Sequence, residues 1–134
     1  MRPARVVQTV SGDRILIVDD DESIRLIVRL CLAEEGYRVE EAANGEVAFE
    51  VLKRFDPALI LLDLRMPVMD GWEFARRYHT SPGPHAPIVA FVAALNAAQE
   101  CADITTAGIL SKPFDLDELL KAVRTQLPLA TNPN

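Results

Sequence analysis

The chain has 134 residues, of which 20 are acidic and 14 basic, so its net charge is −6 at pH 7. This length predicts one domain with an ordinary hydrophobic core, and the charge argues against nucleic acid or an anionic membrane as a partner. Residues 1–12 lack the apolar core of a signal peptide, and no apolar run is long enough to span a membrane. We expect a flexible leader over 1–12, one domain over 13–127 and a flexible tail over 128–134.

The first predicted strand, residues 15–18, is an apolar run that ends in four consecutive acids. A helix over 22–35 follows, because its apolar residues recur every three or four positions and Gly36 can end it. The acids nearest this helix can cap it or complement its positive end. Asp19 and Asp20, however, lie at the end of the strand without that explanation.

The central predicted strand is the continuous apolar run at residues 58–62, typical of a strand buried on both faces of a parallel sheet. A weakly alternating edge strand over 37–42 and a helix with an apolar stripe come before it. Asp63 lies at its carboxyl end. Met66-Pro67 and Asp70-Gly71 then indicate a loop, and Trp72 opens a third helix.

The second half of the chain repeats the strand–helix pattern. Apolar runs predict strands over 87–92 and 109–111, with an alanine-rich helix around 97–106 between them and a last helix over 115–127. Lys112-Pro113 ends the fifth strand. Five successive strand–helix units predict an α/β fold, a single doubly wound (βα)5 domain with a parallel five-stranded sheet and helices on both faces.

The cysteines and histidines predict no site. Cys31 and Cys101 lie in apolar helical patterns, so we expect buried free thiols and a reducing, cytoplasmic compartment. His79 and His85 flank a proline- and glycine-rich breaker and have no acid or cysteine at metal-ligand spacing. We expect both to be solvated loop histidines.

Four charged side chains follow three different predicted strands: Asp19, Asp20, Asp63 and Lys112. Ligands of open parallel sheets bind at the carboxyl ends of the strands, so these groups are placed for chemistry. Clustered carboxylates require a positive charge, and oxygen ligands suit Mg²⁺. An ion-pair network with Lys112 is the alternative, but a single ammonium does not offset three carboxylates.

Three segments, ILIVDDDE, LILLDLRMPVMDGW and LSKPF, resemble the receiver domain of two-component response regulators, the CheY-like superfamily. The resemblance covers nearly the whole domain and implies a flavodoxin-like sheet in the order 2-1-3-4-5. It also implies that Asp63 is the phospho-acceptor and that Lys112 contacts the phosphoryl group. Mg²⁺ would be bound by Asp20, Asp63 and the backbone carbonyl of Arg65, with Asp19 holding it through water. The Lys112–Pro113 peptide would be cis, as in the family.

Two residues depart from the family's pattern. Val92 stands where the family usually has Thr or Ser, and Ile109 stands where it often has Tyr or Phe. Both residues that normally couple phosphate to the far face are therefore missing, whereas the phosphorylation residues are all present. The resemblance implies capture of phosphate and leaves the usual signal transmission in doubt.

The leading hypothesis is a stand-alone phospho-accepting receiver in a two-component phosphorelay. It would take a phosphoryl group from a histidine kinase or histidine phosphotransfer protein, assist its own phosphotransfer and dephosphorylation without being an enzyme in the usual sense, and act on an unknown downstream protein. One alternative is a phosphorylation-independent docking module with the same fold. A hydrolase with an aspartyl nucleophile is a weaker alternative, since Arg65 occupies the place where such phosphatases have a second Asp.

Overall fold

The structure, a computed structural model, describes residues 13–93 and 95–128. The predicted leader and residues 129–134 of the predicted tail lie outside the described residues. Strands and helices alternate along the described part: β1 (Arg14–Val18), α1 (Glu22–Glu34), β2 (Arg38–Ala42), α2 (Gly45–Leu52), β3 (Leu59–Asp63), α3 (Gly71–Thr80), β4 (Ile88–Ala93), α4 (Ala97–Glu100), β5 (Gly108–Lys112) and α5 (Leu116–Gln126). None of these helices has the length and apolar character needed to cross a membrane.

The five strands form one parallel sheet in the order β2-β1-β3-β4-β5. This confirms the predicted doubly wound fold and the edge position of β2. The register pairs Val18 of β1 with Leu62 of β3, and Ala93 of β4 with Lys112 of β5. The carboxyl ends of β1, β3 and β5 therefore meet at the same edge of the sheet, which brings together the side chains that follow them.

The sheet is buried on both faces because its apolar strands alternate their side chains between two cores. Leu16, Ile60 and Leu62 face a core that contains Phe74 of α3. The intervening residues pack into a second core against α1 and α5: Ile15, Ile17, Leu59 and Leu61. Every residue of β3 is buried, including Asp63. The strand that carries the predicted phospho-acceptor is thus the one strand of the described sheet in which every residue is buried.

The alanine-rich helix is much shorter than predicted. α4 covers only Ala97–Glu100, and none of its residues is fully buried. Beyond it, Asp103, Ile104, Thr105 and Thr106 are residue types that disfavour helix. A short helix needs an apolar face to be stable, and this segment supplies too little of one to extend the first turn.

The prediction of two solvated loop histidines is confirmed only for the loop position of His85, since His79 lies in a helix and neither ring is fully exposed. His79 lies within α3, and both rings are half-buried with their centres 5.8 Å apart. His85 also lies with Nε2 2.8 Å from the carbonyl oxygen of Ser81. Helix α3 ends at Thr80, directly before the breaker that starts at Ser81, so His79 belongs to its last turn and its ring packs against that of His85.

Both cysteines are free thiols, as predicted, but they differ in burial. Cys101 is buried, whereas Cys31 is only half-buried. Cys101 follows α4 and does not lie inside a helix.

Candidate functional site

A cavity of about 490 Å³ lies at the carboxyl ends of the strands. Its wall includes three acids and one lysine from the predicted site or its neighbours: Asp20, Asp21, Asp63 and Lys112. Leu64, Phe91, Val92 and Ala93 supply apolar wall, and Arg65 and Glu100 lie at the other side. The structure thus brings the predicted site residues of all three strands to one cavity.

Lys112 joins the ends of three strands. Its Nζ lies 3.0 Å from Oδ2 of Asp19 and 3.3 Å from Oδ1 of Asp63. The ion-pair network considered as an alternative to a metal site is therefore present. The peptide bond between Lys112 and Pro113 is cis.

Asp19 is completely buried, and the local backbone holds it in place. Its Oδ1 accepts a hydrogen bond from the backbone N–H of Asp21 at 2.9 Å. Nη1 of Arg25 donates to the carbonyl oxygen of Asp19 at 2.8 Å, while Nε of the same arginine pairs with Glu41 at 3.1 Å. Arg25 therefore fixes the loop between β1 and α1, a role that no local sequence pattern indicated.

The electrostatics show that Lys112 does not neutralise the cluster. Burial and the neighbouring charge of Asp19 raise the pKa of Asp63 to about 6, against the opposing effect of Lys112. Burial also raises the pKa of Asp19. Burial disfavours the charge of Lys112, but its hydrogen bond to Asp19 and the charges of Asp19 and Asp63 outweigh burial and raise its pKa. The Lys112 ammonium thus compensates only part of the negative charge of the carboxylates.

Three carboxylates converge closely enough to bind one cation. Asp19, Asp20 and Asp63 can each offer an oxygen, and these oxygens lie within 4.8 Å of one another. Asp20 is exposed, so a bound ion would retain contact with water. Hard oxygen donors, incomplete charge compensation and room for water are the features that Mg²⁺ sites in proteins share. The residues present therefore fit a divalent cation of this kind.

Gly71 allows α3 to begin close to the end of β3. Its backbone N–H donates to the carbonyl oxygen of Leu64 at 2.9 Å. A Cβ at this position would lie 2.7 Å from Cα of Leu64, closer than real Cβ contacts come. The Asp70-Gly71 pair predicted a turn, but the close approach that positions the loop after Asp63 depends on tertiary packing.

The two predicted switch positions, Val92 and Ile109, occupy different environments. Val92 is 3% exposed and lines the cavity, so its position suits a contact with a group on Asp63 but its side chain has no polar atom. Ile109 is 42% exposed on β5 and faces away from the cavity. No residue in the described part of the cavity wall offers a hydroxyl.

Arg65 and Glu100 are the largest omission from the predicted site. Nη2 of Arg65 lies 2.6 Å from Oε2 of Glu100, and both side chains line the cavity. The sequence indicated only the backbone carbonyl of Arg65, and Glu100 lay inside a segment read as an ordinary alanine-rich helix. A contact between residues 35 positions apart has no local signal.

The family model of the response regulator receiver domain matches residues 15–124. The chain belongs to the response regulator receiver domain family. The receiver is 36% identical over 122 residues to sporulation initiation phosphotransferase F of Bacillus subtilis, an alignment that covers 90% of this chain and 98% of that protein. It is 38% identical over 116 residues to response regulator MprA of Mycobacterium leprae, covering 85% of this chain and 50% of that protein. The receiver thus spans about half the length of the MprA relatives.

Solved structures agree with the assignment. Chemotaxis response regulator CheY4 of Vibrio cholerae has a TM-score of 0.78 and 33% identity, over 85% of this chain and 98% of that one. The receiver domain of sensor histidine kinase PA1611 from Pseudomonas aeruginosa, solved with magnesium in its active-site cleft, has a TM-score of 0.77 and 29% identity, over 87% and 98% of the two chains.

Membership of this family identifies the chain as a phospho-accepting domain of two-component signal transduction. Receiver domains are signalling domains that bind Mg²⁺ at an acidic pocket and interact with histidine kinases or phosphotransfer proteins. The relatives give no support to a phosphorylation-independent docking module.

Proposed function

We propose that the receiver accepts a phosphoryl group on Asp63 from the phosphohistidine of a histidine kinase or histidine phosphotransfer protein. The observation that carries this proposal is the position of Asp63, buried at the end of the central strand with Lys112 Nζ 3.3 Å from its Oδ1. A carboxylate nucleophile and a cation for the transferring oxygens thus share one cavity.

The transfer is a displacement at phosphorus. An oxygen of the ionised Asp63 side chain attacks the phosphorus atom while the P–N bond to the donor imidazole breaks, and the bonding electron pair stays on that nitrogen. Because the pKa of Asp63 is about 6, most of the carboxyl is ionised at pH 7. Lys112 neutralises charge on the phosphoryl oxygens as it develops.

Mg²⁺ would be held by Asp19, Asp20, Asp63 and the backbone carbonyl of Arg65. Support comes from the converging carboxylate oxygens and from the magnesium ion in the related receiver of PA1611. The bound ion supplies positive charge beside the phosphoryl oxygens. Asp20 is the exposed member of the set, so its loss would weaken the metal site with the least damage to the core.

The product is an acyl phosphate, which water can hydrolyse to inorganic phosphate and the free carboxylate. We include this dephosphorylation in the proposal, with the receiver assisting it through the same charges that assist transfer. The two free thiols suit a reducing compartment, so we place the reaction in the cytoplasm.

Intact mass spectrometry tests the proposal. The wild type incubated with acetyl phosphate and Mg²⁺ should gain the mass of one phosphoryl group, and chelation of Mg²⁺ should prevent the gain. Asp63→Asn should gain none. Asp56→Asn, which changes an exposed carboxyl remote from the cavity, is the matched control and should behave as the wild type. Equal uptake by Asp63→Asn would show that the acceptor is another residue.

A further inference from the structure

A network of side chains lies beside the cavity and has no part in the proposed phosphoryl transfer. It consists of Arg65, Trp72 and Glu100. Nη2 of Arg65 lies 2.6 Å from Oε2 of Glu100, and the guanidinium carbon of Arg65 lies 5.1 Å from the centre of the Trp72 ring. The indole N–H of Trp72 donates to the carbonyl oxygen of Glu100 at 2.7 Å. These contacts join the loop after β3 and the start of α3 to the last residue of α4.

Arg65 is placed to reach a group on Asp63. Among the residues that line the described cavity, the cations are Arg65 and Lys112, and Lys112 is already held by Asp19 and Asp63. The side chain of Arg65 is 71% exposed, so packing does not confine it to its present partner. It is also only two positions from Asp63.

We infer that Arg65 exchanges Glu100 for the phosphoryl group on Asp63, and that this exchange transmits the phosphorylation signal to α4. The inference rests on the proposed function, because it requires a phosphoryl group at Asp63. Arginine binds phosphoryl oxygens through two parallel hydrogen bonds, and a phosphoryl group carries more charge than the carboxylate of Glu100. Because the Arg65 side of this ion pair is 71% exposed, water weakens the attraction between the two charges, and the existing pair does not prevent the exchange.

The exchange would alter the contacts that hold α4. The side chain of Glu100 is only 17% exposed, so loss of Arg65 leaves a carboxylate with little access to water, and the turn must open to hydrate it. No residue of α4 is fully buried, so few packing contacts oppose that movement. Val92 cannot bind the phosphoryl group, and Arg65 would therefore take the place of the missing hydroxyl as the group that couples phosphate to the fold.

Trp72 provides a direct readout, because it is the one tryptophan in the sequence and contacts both partners of the ion pair. Beryllofluoride with Mg²⁺ serves as the phosphoryl mimic, and ¹⁹F NMR measures its binding independently of Trp72 fluorescence. In the wild type, we expect the fluorescence of Trp72 to change as the mimic binds. In Arg65→Gln, the mimic should still bind, roughly fivefold more weakly, without that change in fluorescence.

Replacement of Glu100, the other member of the ion pair, should have the opposite effect on affinity for the mimic. Glu100→Gln removes the competing charge, so we expect it to bind the mimic up to roughly fivefold more tightly than the wild type. A purely structural ion pair would instead make both variants change affinity in the same direction. Arg54→Gln is the matched control, because Arg54 is 63% exposed and its Nη1 lies 3.3 Å from Oε1 of Glu40. Neither of these two residues lines the cavity. Arg54→Gln should match the wild type in both measurements.

The two readouts separate this inference from the function on which it rests. Bound mimic in the wild type together with a full Trp72 response in Arg65→Gln would overturn the exchange and leave the proposed function intact. A shift of Arg65→Gln and Glu100→Gln in the same direction would overturn it as well. Absence of bound mimic from the wild type in the ¹⁹F spectrum would overturn the proposed function, and the exchange with it.

Discussion

The Nζ atom of Lys112 lies 3.3 Å from Oδ1 of Asp63, although the two residues are 49 positions apart in the chain. The sheet order creates this contact, because β4 lies between β3 and β5 and all three strands run in the same direction. The long stem of the lysine can therefore reach across the end of β4 to the buried carboxylate.

Replacing Lys112 should slow phosphorylation strongly. In Lys112→Met, the transferring phosphoryl oxygens lose a charged donor, and removal of one such donor typically costs about 100-fold or more in rate. The initial rate of phosphoryl uptake from acetyl phosphate, measured by intact mass, should fall accordingly. Lys121→Met, on the exposed surface of α5, is the control. An unchanged rate for Lys112→Met would remove Lys112 from the mechanism.

Magnesium should stabilise the folded receiver. A ligand that binds only the native state at ten times its Kd contributes about 1.4 kcal/mol, which raises the melting temperature by a few degrees. Asp20→Asn should reduce this increase, since Asp20 is one of the three converging carboxylates. Differential scanning calorimetry with and without Mg²⁺ measures both effects. A wild-type melting temperature that does not respond to Mg²⁺ would contradict the metal site.

Stability without metal should fall as pH rises through the range in which Asp63 ionises. The folded-state pKa is raised to about 6, so the native state binds a proton more tightly than the unfolded chain does. The free energy of unfolding should therefore decrease between about pH 4 and pH 6 and then level off. Asp63→Asn lacks this titration, so its stability relative to the wild type should increase over the same interval.

Urea unfolding at several pH values in a chelating buffer measures that difference. The relative gain of Asp63→Asn should reach about 1–3 kcal/mol above pH 7. Mg²⁺ should decrease the gain, because the ion stabilises the ionised wild-type cluster. A difference between the two proteins that is independent of pH would mean that Asp63 is not held in a charge-disfavouring environment.

Val92→Thr should lower the stability of the receiver and raise its affinity for beryllofluoride. Val92 is 3% exposed, so a threonine hydroxyl there would be buried without an obvious partner, and we expect a loss of about 1 kcal/mol in the free energy of unfolding. Once beryllofluoride occupies Asp63, that hydroxyl can donate to it and should increase its affinity several-fold. Val47→Thr, at a 39% exposed position of α2, is the control. Equal mimic affinity in Val92→Thr and the wild type would show that position 92 does not face the phosphoryl group.

Much of the fold could be predicted because apolar strand runs and helical stripes are local patterns. The acids and the lysine that follow those runs were also visible, since the carboxyl ends of parallel strands must share one edge. Asp19, Asp63 and Lys112 meet at that edge for this reason.

Features set by long-range packing could not be predicted. The length of α4 depends on how little of its surface the rest of the domain buries, and alanine content alone overestimated it. Arg25 gains its role from a contact with Glu41 on β2, and Glu100 gains its role from Arg65 after β3. In each pair, two ordinary charged residues become significant only when the sheet brings them together.

The central claim is that Asp63 is the residue that carries the phosphoryl group, and chemical trapping tests it most directly. Borohydride reduces an aspartyl phosphate to homoserine but leaves a free carboxylate unchanged. After incubation with acetyl phosphate and Mg²⁺, reduction and peptide mass spectrometry should find homoserine at position 63 and aspartate at positions 19 and 20. Homoserine at either of those positions, with aspartate intact at 63, would contradict the account.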